Sequence, residues 1–176
     1  MKESIKQAAA SLFAEYGYAG TSLAQISENV GIKKPSIYAH YKSKDYLFKC
    51  IFQDAFNAEM KRVGETNDLY GLLQSCLFLY DKDPLFRFFL TSSFFPPDFL
   101  REHILKQYNS YLGALEAKVK ALLNRSSVNS DDAGVMYTII LDSVFVELCY
   151  GTRERSEKRL NVAWRIFEQS FMKGRE

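Results

Sequence analysis

Apolar residues near the start of the chain recur at helical spacing. Ile5, Ala9, Leu12, Phe13 and Tyr16 stand at i, i+4, i+7, i+8 and i+11, which predicts one helix with a buried stripe. Gly17 is expected to end it and Gly20 to mark the turn that follows. Thr21 is the expected N-cap of a second, short helix, in which Leu23, Ile26 and Val30 fall at i, i+3 and i+7 and after which Gly31 is the stop. Only residues 31–34 separate it from Pro35, favoured in a first helical turn because its missing N–H would be unpaired there. A third helix is therefore predicted over about Pro35 to Tyr41. Ser43 is placed to cap a fourth, about Lys44 to Val63, with Leu47, Ile51, Phe52 and Phe56 on its apolar side. Further helices are predicted at about 68–80, 84–94, 98–123, 130–153 and 156–172. The breaks fall at Asp81 to Pro84, at Pro96-Pro97 and in the polar run Asn124 to Ser130. No convincing strand alternation is present, so the chain reads as all-α.

Two short helices joined by a four-residue link containing glycine, with another helix before them, form the helix-turn-helix pattern. A helix that enters the major groove needs apolar residues on its inner side and hydrogen-bonding groups outside. Ile32, Ile37 and Tyr41 are expected to face inward, leaving Lys33, Lys34, Ser36, Tyr38 and His40 for DNA. Thr21, at the amino end of the preceding helix, can offer its hydroxyl and nearby N–H groups to a phosphate. The same pattern also fits a small helical bundle with a lysine-rich turn.

Charge bears on the choice without deciding it. The overall net charge of +2 is small, but residues 1–50 carry seven lysines against four acids while the remainder nets −1. Lys33, Lys34, Lys42 and Lys44 crowd into twelve positions, which reads either as a solvated face, as most charge clusters are, or as a basic patch that meets phosphates. A hydrophobic content of 47% with 25% charged residues belongs to a globular chain. The apolar residues after Lys2 are spaced helically, which is not how a secretory signal reads, so the mature chain is expected to begin near Met1. The stretch Val135 to Tyr150 is interrupted by Asp142 and Glu147 and is shorter than the roughly 20 residues of a membrane crossing. Cys50, Cys76 and Cys149 have neither disulfide nor metal-knuckle spacing, which points to a reducing cytoplasm.

The runs Phe13-Ala14-Glu15-Tyr16-Gly17-Tyr18, Thr21-Ser22-Leu23-Ala24-Gln25-Ile26 and Gly31-Ile32-Lys33-Lys34-Pro35-Ser36-Ile37-Tyr38-Ala39-His40-Tyr41-Lys42-Ser43-Lys44 resemble the N-terminal signature of TetR-type regulators. The resemblance covers about residues 5 to 47. It implies a helix-turn-helix head over residues 1–46 and a helical effector-binding and dimerisation domain over 47–176. The implied function is that of a dimeric repressor which leaves a palindromic operator when a small molecule binds. Thr21, Lys33, Lys34, Pro35, Ser36, Tyr38, His40 and Lys44 are then implied as the DNA face. Tyr38 and His40 would mainly grip phosphates, and Lys44 would do so from the start of the fourth helix. Ala24 departs from the pattern, since many members place a basic or polar residue there, so base readout must lean on other positions.

No motif covers the rest of the chain. Phe78, Phe86, Phe88, Phe89, Phe94 and Phe95 are either ordinary core or the lining of a cavity for an apolar or amphipathic effector. Glu147, inside an apolar helix, is a candidate polar handle on such a ligand; exposure or pairing across a dimer are the alternatives. The last two helices carry apolar surface for more than one neighbour, and Ile139, Phe145, Trp164, Phe167 and Phe171 are the candidate dimer contacts. A catalytic role finds little support: His40 and His103 are the only histidines, and neither a phosphate loop nor a zinc-spaced ligand set is visible. No cofactor and no metal is expected. A helical adaptor that binds protein instead of DNA is the remaining rival.

Overall fold

The computed structural model describes residues 1–123 and 130–172. Helix α1, Lys2–Gly20, buries Ile5, Ala9 and Phe13 as the stripe predicts, although Tyr16 is exposed. At Gly17 the backbone leaves helical geometry with φ 70° and ψ 175°. That combination is essentially reserved for glycine. Gly17→Ala is expected to lower the unfolding free energy by about 1–3 kcal/mol through backbone strain alone, since a Cβ there meets nothing within 4 Å. Denaturant unfolding with an unchanged slope is the check; unaltered stability would mean that the kink relaxes into continuous helix.

The kink changes the expected cap. The Thr21 N–H turns to the Tyr18 carbonyl, which frees the Gly17 carbonyl, and the Thr21 hydroxyl donates to the carbonyls of Gly17 at 2.9 Å and Leu12 at 3.0 Å. Thr21 is thereby only 2% exposed. Ser22 is the actual N-cap of α2, Leu23–Val30: its Oγ accepts from the Gln25 N–H, and the Gln25 side-chain oxygen accepts from the Ser22 N–H. Both orphan donors are satisfied by this reciprocal box. Gly31, in the left-handed region at φ 75°, closes α2 as expected.

Helix α3 spans Lys34–Tyr38 and stops short of the predicted Tyr41. The N–H groups of His40 and Tyr41 both donate to the Ile37 carbonyl, and this tight turn still carries the Tyr41 ring into the core. Ser43 caps α4, Lys44–Glu65, by accepting from the Tyr46 N–H. There follow α5, Leu69–Lys82; α6, Pro84–Phe94, whose cap Asp83 accepts from two N–H groups; a 3-10 turn at Asp98–Leu100; and α7, Arg101–Leu123. Helices α8, Ser130–Tyr150, and α9, Arg153–Phe167, come next, with a wider π turn over Glu168–Met172. The predicted break at Asn124 to Ser130 lies, apart from Ser130, outside the described residues. Among the described residues no strand occurs.

The chain forms two compact units, Met1–Glu59 with Asp81–Gln107, and Met60–Tyr80 with the segment from Tyr108 onward. The head of residues 1–46 thus shares its unit with α6. In that unit Phe13, Phe48, Phe52, Phe88 and Phe89 form one aromatic core; the Phe48 and Phe88 rings meet edge to face at 4.9 Å. The second unit is built around α8, whose Tyr137, Leu141, Val144 and Phe145 are buried. At 21 residues α8 is longer than the apolar stretch read from the sequence, and it is the one described helix long and apolar enough to cross a membrane. Here it is the core helix of its unit.

Candidate nucleic-acid interface

Helix α3 is held from behind by Ile37 and Tyr41, both buried, with Ile32 half-buried beside them. Its outer side therefore presents the remaining residues to solvent. Lys33, Lys34, Pro35 and His40 are exposed, Ser36 is half-buried, and Tyr38 is 51% exposed although it is a large ring. The structure thus gathers six of the eight sequence-predicted DNA contacts on one short segment. Two ammoniums, a phenol, an imidazole and a hydroxyl over an apolar base suit a phosphate-lined groove.

Thr21 and Lys44 are placed otherwise. The Thr21 hydroxyl is spent on carbonyls inside the head and is not available to a phosphate. The Lys44 ammonium donates to the carbonyls of Tyr18 and Thr21, each at 2.8 Å, instead of standing free at the start of α4. Sequence reasoning assigned no contact to Lys2 or Lys42, yet Lys2 lies over the Tyr41 ring at 5.7 Å and Lys42 over the Tyr46 ring at 4.9 Å. These two cations extend the basic surface around the end of α3. For Lys42 the lysine cluster was a signal; for Lys2 there was none.

The predicted effector set does not form one site within either unit. Phe86, Phe88 and Phe89 are buried in the first unit's core, because α6 is enclosed on more than one face, with even Ser92 and Ser93 buried. Phe94 is half-buried, and Phe95 and Phe78 are exposed. A cleft of about 750 Å³ does open in the first unit between α1, the end of α2, α4 and the start of α6, but Glu3, Lys6, Asp54 and Asp83 stand on its walls and none of those phenylalanines does. Glu147, 5% exposed, accepts from Arg155 at 3.0 Å and Arg159 at 3.1 Å, so its charge is met from within the chain and it is no free handle. Asp142 accepts from the Tyr108 hydroxyl at 2.6 Å, and burial pushes its carboxyl above the usual range.

The dimer candidates divide by size. Phe145 and Phe167 are fully buried and serve the interior of the second unit, whereas Trp164, stacked between Tyr70 and Phe167, and Phe171, against Phe167, are half-buried. Ile139, 55% exposed, is the one of the five that stands fully on the surface. Val135, Ile139 and Val146 of α8 and Val162 and Ile166 of α9 are the exposed aliphatics of these helices, and Met136, Val162, Ala163 and Ile166 border a groove of about 470 Å³ with Arg155 and Arg159 at its side.

A short helix with an exposed polar face, backed by α1 and α2, is the helix-turn-helix arrangement used by DNA-binding proteins. The family described as "Bacterial regulatory proteins, tetR family" matches residues 5–51. IcaR, the negative transcriptional regulator of the icaADBC biofilm operon, is similar in two staphylococci. The Staphylococcus epidermidis protein is 36% identical over 88 residues, about half of either chain (47% of this one and 48% of that one), and the Staphylococcus aureus protein 28% identical over 90% of this chain and 87% of that one. Two solved structures share the fold: the TetR-family protein CprB from S. coelicolor, with a TM-score of 0.75 and 22% identity over 95% of this chain and 86% of that one, and FadR from Bacillus subtilis in complex with stearoyl-CoA, with a TM-score of 0.67 and 16% identity over 97% and 98%. The match over residues 5–51 and the likeness to IcaR along most of the chain support a TetR-type transcription regulator. The chain is a DNA-binding regulator and not an enzyme.

Proposed function

We propose that the chain is a cytoplasmic transcriptional repressor that acts as a homodimer on a near-palindromic operator and is released by a small apolar or amphipathic molecule. The observation that carries the DNA part is the outer face of α3, where Lys33, Lys34, Pro35, Ser36, Tyr38 and His40 stand over the buried Ile37. Repression is supported by the likeness to IcaR, whose name states negative regulation. A dimer is supported by the exposed aliphatic residues of α8 and α9, and half-site binding follows from two-fold symmetry. An effector of the stated chemistry is supported by FadR, described with stearoyl-CoA bound. The phenylalanines of α6 are core and are no part of this proposal.

Helix α4 begins within the head at Lys44 and runs to Glu65, so in this reading a ligand-driven displacement would reach the reading helix along it. By linkage, operator must then weaken effector binding by the factor by which effector weakens operator binding.

Tyr38→Ala tests the interface. A half-exposed ring and hydroxyl that grip the backbone contribute to every sequence alike, so binding to operator and to unrelated DNA should fall together, by roughly tenfold. Fluorescence titrations of both DNAs read this. Operator binding as tight as wild type would move the reading surface away from α3.

A further inference from the structure

Resting on the reading of the chain as a DNA-binding regulator, we propose that Lys44 is a positioning residue for operator binding and not a phosphate contact. Its ammonium closes a cage at the kinked end of α1. It donates to the Tyr18 and Thr21 carbonyls at 2.8 Å each and lies 4.0 Å from the centre of the Tyr18 ring. The next residue acts on the same tyrosine: the Tyr18 hydroxyl donates to Asp45 Oδ1 at 2.5 Å. Burial, followed by this carboxylate, pushes the Tyr18 phenol up to about 12, so it remains a donor across the physiological range. Phe48 and Phe99 hold the ring from other sides, at 5.5 and 4.8 Å.

Thr21 immediately precedes Ser22, the N-cap of α2. Fixing the Thr21 carbonyl therefore fixes where α2 begins relative to the first turn of α4, and α3 packs on α2. The kink at Gly17 makes the cage, because it redirects the last turn of α1 so that the Tyr18 carbonyl, which takes only a long bond of 3.4 Å from the Thr21 N–H, and the Thr21 carbonyl converge on one side chain. An ammonium has three N–H donors, two of which are committed here at short distance with an aromatic face beneath. Swinging it toward a phosphate would leave both carbonyls and the ring unpartnered by it. Lys33 and Lys34, exposed and without such partners among the described contacts, are the lysines placed to neutralise phosphate.

The test is a set of binding titrations at several salt concentrations, using the DNA that wild-type protein selects from random sequence. Neutralising one phosphate contributes a slope of about 0.9 in log affinity against log salt. K33M is expected to lose about that much slope. K44M is expected to bind roughly tenfold more weakly, the scale of one charge-assisted hydrogen bond, with the wild-type slope. K44R should be weakened similarly, since a planar guanidinium fork does not reproduce two converging ammonium bonds above a ring, whereas a true phosphate contact would survive the change to arginine. In the free protein, amide exchange at Gln25 and Ile26 should quicken in K44M, and K44M with Tyr18→Leu should be little worse than either alone.

A slope lowered by about 0.9 in K44M, with K44R near wild type and exchange unchanged, overturns the proposal while leaving the function intact. Wild-type protein that selects no DNA overturns the functional reading and this inference with it. Should K44M fail to fold, K44R and Tyr18→Leu carry the same comparison.

Discussion

Phe88→Ala is expected to lower the unfolding free energy by about 3–5 kcal/mol. The ring is fully buried and is met by Phe48 at 4.9 Å, Phe13 at 6.0 Å and Phe52 at 6.4 Å, so truncation removes buried area and aromatic pairs and leaves a void between α1, α4 and α6. Each aromatic pair adds roughly 0.5–1.5 kcal/mol beyond area burial. Against a typical total stability of about 5–15 kcal/mol the loss is a large fraction, and the head shares this core, so operator binding should fail as the unit loosens. Urea unfolding at unchanged slope measures it. Phe95→Ala, at an exposed position on the same segment, should stay within about 0.5 kcal/mol. If Phe88→Ala instead kept full stability and operator affinity and lost only its response to an effector, α6 would line a cavity after all.

The contrast between Phe88 and Phe95 indicates what could be read in advance. Local chemistry marked the bounds of α6 at Pro84 and Phe94, because Asp83 with Pro84 is a start signal and Pro96-Pro97 a stop. Periodicity likewise assigned Ile37 and Tyr41 to the core, although α3 itself ends at Tyr38, since a turn can deliver a side chain to the same place as another helical residue. Thr21 and Ser22 are adjacent hydroxyl residues, both chemically fit to cap α2. The choice between them was made by a carbonyl released at the Gly17 kink, a matter of local backbone geometry that hydroxyl chemistry alone does not reveal. Lys44 is the same kind of case, because spacing places its Cα near the DNA face but says nothing about which partners a long flexible stem will find. Glu147 reads as a costly charge in an apolar helix until α9 folds back and sets Arg155 and Arg159 against it.

Size misled in the last two helices, and correcting it yields the second large effect. Large aromatics suggest an interface, yet Phe145 and Phe167 are buried within one chain, while the smaller Val135, Ile139, Val146, Val162 and Ile166 face outward. On α8 the positions 135, 139 and 146 fall at i, i+4 and i+11, and on α9 the positions 162 and 166 at i and i+4, so each helix carries a narrow aliphatic stripe. Two copies related by a two-fold axis would bury these stripes in a four-helix contact. Ile139→Glu combined with Ile166→Glu puts each new carboxylate into such a contact twice, once per protomer. An unpaired charge left in a buried interface costs about 3–5 kcal/mol, so the dimer should weaken by more than about a hundredfold and run as a monomer at micromolar concentration in sedimentation equilibrium. Each chain should keep its melting temperature, since both positions are exposed within it. Operator binding should fall further than for any single contact on α3, because a lone head loses the second half-site and with it a gain of about 10² to 10⁴ in avidity. Phe167→Glu, by comparison, should unfold the second unit outright. A double variant that sediments as a dimer and binds operator like wild type would move the subunit interface away from α8 and α9.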